Sequence, residues 1–101
     1  MKTPLDWLQG WYRQQCDGDW EHEFGIRITT LDNPGWHLNI DLAETSLPEI
    51  DLPREQILRS DDDWVSFGVS KEKFDGACGP SNLEELIDIF KKIVDQYSYR
   101  Q

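Results

Sequence analysis

The sequence predicts an α+β fold: an antiparallel β-meander of four to five strands flanked by an N-terminal and a C-terminal helix. Three observations carry that prediction. Apolar residues recur at helical spacing near both ends of the chain. Between those ends they recur at every second position. No strand alternates with a helix in the way a parallel, nucleotide-binding sheet requires. The 101 residues leave room for one domain, residues 1–101. A domain of that size buries about 65% of its unfolded surface and needs no disulfide or metal staple.

The first helix starts at Thr3-Pro4, a hydroxyl at the N-cap followed by proline where its missing N–H costs nothing. Leu5, Trp7, Leu8, Trp11, Tyr12 and Cys16 fall on one half of its wheel, with Asp6, Gln9, Gly10 and Arg13 opposite. It ends near Cys16, because Asp17-Gly18-Asp19 forms turns. Two strands follow. Phe24, Ile26 and Ile28 alternate with Gly25, Arg27 and Thr29; Trp36, Leu38, Ile40 and Leu42 alternate with His37, Asn39 and Asp41. The Asp32-Asn33-Pro34-Gly35 segment between them reads as a type II turn, with proline presetting φ and glycine supplying a positive φ.

Pro48 and Pro53 make the next stretch irregular. Arg54 to Ser60 reads as a third strand, Asp61-Asp62-Asp63 as a solvated turn, and Trp64 to Ser70 as a fourth strand with Val65, Phe67 and Val69 on one face. Lys73 to Cys78 adds a short fifth strand, and Gly79-Pro80 stops the sheet. Ser81-Asn82-Leu83-Glu84 has the form of a capping box. Leu83, Leu86, Ile87, Phe90, Ile93, Val94 and Tyr97 then make the apolar stripe of a C-terminal helix, which needs a sheet to cover.

Twenty acidic side chains against ten basic ones give a net charge of −10. Nucleic acid and anionic membranes need Lys- and Arg-rich faces, so neither is expected as a direct partner; a basic protein is the natural complement. No apolar run reaches the length of a membrane span. Met1-Lys2-Thr3-Pro4 leads into an amphipathic segment rather than a signal-peptide core, so the expected compartment is the cytoplasm. Cys16 and Cys78 are then expected as free thiols.

The densest segment is Cys16-Asp17-Gly18-Asp19-Trp20-Glu21-His22-Glu23. Asp17, Asp19 and Glu21 resemble the first ligands of a calcium loop, but His22 stands where that loop needs glycine and Ile28 where it needs a bidentate glutamate. Cys16, His22, His37 and Cys78 lack the close pairing of a zinc site. Acidic neighbours disfavour a Cys16 thiolate. Catalytic residues, metal and cofactor are therefore expected to be none. The plain structural reading of the segment is a helix-to-strand turn, with Trp20 plugging the core and the acids solvated. The functional reading is an exposed acidic loop that meets a cationic partner. Trp7, Trp11, Trp36 and Trp64 read as core, whereas Trp20, set between acids, reads as a partly exposed anchor.

Several blocks resemble the immunity protein 53 family: Trp7-Leu8, Trp11-Tyr12, Cys16 through His22, Gly25-Ile26, Thr30 through Trp36, Ile40-Asp41-Leu42, Asp63-Trp64 and Gly79 through Leu86. The likeness covers nearly the whole chain. It departs at Cys78-Gly79, where the family pattern has a glycine pair before the proline. The resemblance implies a protein that protects bacteria by binding and blocking a cognate toxin domain of a polymorphic toxin system. Such toxins are often nucleases or other enzymes with basic substrate sites. Some similar sequences bear a rhodanese-like sulfurtransferase label, against which the acids beside Cys16 and the missing α/β alternation argue. The family supplies no residue-level contacts. The residues themselves point to Asp17, Asp19, Trp20, Glu21 and His22 as a contact loop, with Asp41 and Glu44 as neighbours. Two other classes stand beside this reading: a small thiol or metal enzyme built on Cys16 and His22, and an acidic nucleic-acid mimic.

Overall fold

The computed structural model describes residues 2–98, in the order α1 (Pro4–Gln15), α2 (Trp20–Glu23), β1 (Ile26–Leu31), β2 (Gly35–Asp41), β3 (Leu52–Ser60), β4 (Asp63–Ser70), β5 (Lys73–Cys78) and α3 (Leu83–Tyr97). The five strands form one antiparallel sheet, with α1 and α3 on a single face. The α+β class is as the periodicities predict. The spatial order is β1-β2-β5-β4-β3. After β2 the chain crosses to the far edge, and β5 returns to pair with β2. Side-chain chemistry explains this order. β5 is apolar enough for the centre, with Phe74 and Cys78 fully buried. β3 is exposed along nearly its whole length and carries Pro53, whose missing N–H is tolerated at an edge.

α1 begins with a reciprocal cap. Thr3 Oγ1 accepts the Asp6 N–H at 3.1 Å, and Asp6 Oδ2 accepts the Thr3 N–H at 3.3 Å. The core takes Leu8 and Trp11 and half of Trp7, but leaves Leu5 and Tyr12 exposed. The apolar arc of this helix is therefore wider than the sheet beneath it. At α3 the expected capping box does not form. The helix starts at Leu83, which makes Asn82 the N-cap and leaves Ser81 one residue too early. Asn82 Nδ2 instead donates to Asp63 Oδ1 at 2.9 Å and Glu85 Oε1 at 3.0 Å, tying the β3–β4 turn to the helix start. The predicted stripe of α3 is otherwise the buried one, led by Leu86, Ile87 and Phe90.

The β1–β2 hairpin forms with Ile26 opposite Ile40 and Ile28 opposite Leu38. Its turn is not type II. The Asn33–Pro34 bond is cis, and Gly35 has no positive φ and already belongs to β2. Glycine is needed there for another reason: a Cβ on Gly35 would collide with the Cys78 carbonyl of the neighbouring strand.

Phe90 sits at the centre of the core, with ring centroids 5.1 Å from both Trp11 and Phe74 and 5.8 Å from Trp7. Such edge-on and tilted pairs each add about 0.5–1.5 kcal/mol beyond the area they bury. Trp36 packs against this core from its margin. Trp64 does not join it. It alternates with Val65, so it lies on the other face of the sheet, opposite Leu58 of β3.

Candidate partner-binding surface

The segment 16–23 folds on itself. Asp17 Oδ1 accepts the N–H groups of Asp19 at 2.9 Å and Trp20 at 3.0 Å. Glu21 answers from the other side, Oε1 taking the Asp17 N–H at 3.0 Å and Oε2 the Gly18 N–H at 2.9 Å. Gly18 supplies the left-handed residue, at φ 96°. Backbone N–H groups of Trp20 and Asp19 hold the Asp17 carboxyl below its usual range. Those of Glu21, Asp17 and Gly18 outweigh partial burial and do the same for Glu21. Both therefore stay ionised, and the loop is a rigid anionic turn rather than a loose string of acids.

This winding turns Trp20 inward. It is 2% exposed, and its Nε1–H donates to the Ala43 carbonyl at 2.9 Å. Its ring meets those of Trp11, Tyr12 and Phe24 at centroid distances of 6.1–6.3 Å. The expectation of a partly exposed anchor is corrected: Trp20 is the plug of the structural reading. The cause is the short helix α2, unrecognised in the sequence, which points Trp20 at the core and leaves Asp19, His22 and Glu23 in solvent.

The Trp20–Ala43 bond also ties the segment that follows β2 to α2. Asp41 is buried, at 5% exposed. Its Oδ2 accepts the Gly25 N–H at 2.9 Å, while Oδ1 faces Lys73 Nζ at 3.2 Å and Arg27 Nη2 at 3.5 Å. Its carboxylate is thus buried and paired, and it ties the start of β1 and β5 to the end of β2. The winding thus presents Asp17, Asp19, Glu21 and His22 as one anionic ledge, while Glu44 is exposed next to Ala43, whose carbonyl accepts the Trp20 N–H.

Sequence reasoning missed a second polar cluster, on the sheet face away from the helices. Asp75 stands at its centre, 2.7 Å from His37 Nε2 and 2.6 Å from Arg54 Nη2. Arg54 Nη1 donates to the buried Ser66 hydroxyl at 2.8 Å. Partial burial pushes the Asp75 pKa up, but bonds from His37, Arg54 and Asn39 outweigh it and hold the carboxyl below its usual range. The alternation within β5 marks Asp75 as facing away from the helices. Its partners come from β2 and β3, which pairing alone brings near.

The two thiols sit in different surroundings. Burial pushes the Cys78 thiol up to about 11, so it is protonated at neutral pH and a poor nucleophile. Cys16 is half-buried, and its thiol donates to the Tyr12 carbonyl at 3.3 Å. Both cysteines are free. Among the described residues no group of three or more His, Cys, Asp or Glu side chains is placed to hold a metal ion. No helix among them is long and apolar enough to cross a membrane.

No curated protein and no solved structure matches the chain. A family model does: the one described as immunity protein 53 matches residues 5–95. That span includes nearly all of both core helices, every strand and the anionic ledge, and the chain belongs to the immunity protein 53 family.

Proposed function

We propose that this protein neutralises a cognate bacterial toxin domain by stoichiometric association in the cytoplasm, with no turnover of its own. The observation that carries this reading is the preorganised anionic turn built by Asp17 and Glu21, with Asp19 and His22 exposed on it, on a chain of net charge −10; we add Asp41 and Glu44 as its proposed neighbours. A rigid ledge loses little conformational entropy on binding. Its field speeds encounter with a cationic surface, such as the substrate cleft of a nuclease-like toxin.

The test is co-expression with the toxin domain encoded beside this chain's gene. Restored growth and a one-to-one complex of the purified proteins are expected. A toxin that still kills, with no complex at micromolar concentration, defeats the proposal.

A further inference from the structure

We infer that the free edge of β1, with the apolar groove between it and α1, receives an extended segment of the toxin as a sixth strand of the sheet. This inference rests on the toxin-binding reading and names its docking mode.

The groove holds about 330 Å³ and is lined chiefly by Leu5, Leu8 and Tyr12 of α1 and by Ile26 and Ile28 of β1. Leu5, Tyr12 and Ile28 are 48%, 40% and 38% exposed. They arise where the apolar arc of α1 overhangs the last strand. A strand set beside β1 would send alternate side chains under that overhang.

The two edges of the sheet are built differently. β3 carries Pro53, charged residues and two breaks in register, features that discourage pairing with another chain. β1 runs in unbroken register from Ile26 to Leu31, without proline, and its one charged residue, Arg27, donates to Asn39 of β2. The backbone of β1 is also oriented for the purpose. The Asp41 N–H bonds the Gly25 carbonyl, and antiparallel partners exchange bonds at every second pair. Arg27, Thr29 and Leu31 therefore face β2, while Ile26, Ile28 and Thr30 direct their N–H and C=O groups outward. Ile26 and Ile28 thus supply the free backbone groups and the groove wall together, the arrangement used in recognition by strand addition.

Charge selects the occupant. The anionic turn adjoins the groove at Tyr12, whose ring centroid lies 6.1 Å from that of Trp20 and whose carbonyl accepts the Cys16 thiol at 3.3 Å. A second copy of this chain, paired antiparallel about Ile28, would bring the acidic segment preceding β1 beside Asp32 of its partner, between two molecules of charge −10. A cationic strand meets no such repulsion. The segment expected is apolar at every second position, with lysine or arginine where it passes Asp17 to Glu23.

Thr30→Pro removes an outward donor and no bond to β2, and Ile28→Glu places a charge at the groove wall. Each should weaken binding of the toxin domain encoded by the neighbouring gene by roughly tenfold or more. Leu58→Glu, on the other edge, should leave it within about twofold. In the unaltered complex the amides of Ile26, Ile28 and Thr30 should become protected from hydrogen exchange. Full binding by folded β1 variants, or unchanged exchange at those amides, overturns the docking mode and leaves toxin binding intact. A toxin-free dimer of the unaltered chain that Thr30→Pro dissociates overturns it in favour of self-pairing. Failure of the unaltered chain to bind the toxin overturns both readings.

Discussion

Trp20→Ala distinguishes a core plug from a contact anchor. The side chain is 2% exposed, packs against three aromatic rings and donates to Ala43 O at 2.9 Å. Truncating a buried tryptophan removes its transfer free energy and leaves a cavity that closes only in part, a cost of about 3–5 kcal/mol. The lost indole bond leaves the Ala43 carbonyl to find water, within that range. Against a total stability of about 5–15 kcal/mol, the loss is between a fifth and nearly all of it. For a domain of this size it lowers the thermal midpoint by roughly 15–30 °C. Trp20→Phe keeps most of the apolar volume and removes the N–H, so it should cost only about 1–2 kcal/mol. Urea and thermal unfolding of the isolated chain, followed by circular dichroism, measure both. A Trp20→Ala chain with an unchanged midpoint and lost toxin binding would refute the reasoning, because it would make Trp20 a surface contact.

Gly35→Ala should destabilise by about 1–3 kcal/mol, since the added methyl meets the Cys78 carbonyl of β5 and no flexible side chain can give way; urea unfolding is the check. Hydrogen bonds from Arg59 and Asn82 lower the pKa of both Asp63 and Glu85. Their contribution to stability is complete above the ordinary values of 3.8 and 4.5 and is lost as pH falls through the lowered folded values. Arg59→Gln should therefore flatten the acid limb of a stability–pH curve, and an unchanged limb would contradict the assignment. Asp19→Lys with Glu23→Lys reverses two exposed charges that make no internal bond, so toxin association should slow and lose salt dependence while unfolding stays within about 0.5 kcal/mol. Stopped-flow kinetics at two ionic strengths would show it.

The predictions that held are those in which a residue's environment follows from its nearest neighbours in the chain. Leu83 to Tyr97 repeats with a helical period, Ile26 to Asp41 alternates about a turn, and Thr3-Pro4 caps a helix whatever lies elsewhere. Those patterns determined the helices at both ends, the strands between them and the single apolar face they share. The anionic character of segment 17–23 was equally legible, because charge is a property of composition. The direction of Trp20 was not. It depends on a four-residue helix stabilised by Asp17 and Glu21 and on the Ala43 carbonyl, which lies 23 residues away.

Only the tertiary structure decided which strand stands beside which, and the site follows from that. The order β1-β2-β5-β4-β3 leaves β1 with an open edge and joins Asp75 to both His37 and Arg54. It also buries Asp41 between Arg27 and Lys73, against an expectation drawn from simple alternation. Local pattern specifies which face of a strand is apolar, whereas neighbour choice depends on how well distant surfaces cover one another once the core closes. For that physical reason the sequence by itself determined the elements and the sign of their charge, and the packed sheet alone decided which of those charges are paired within the fold and which are left in solvent.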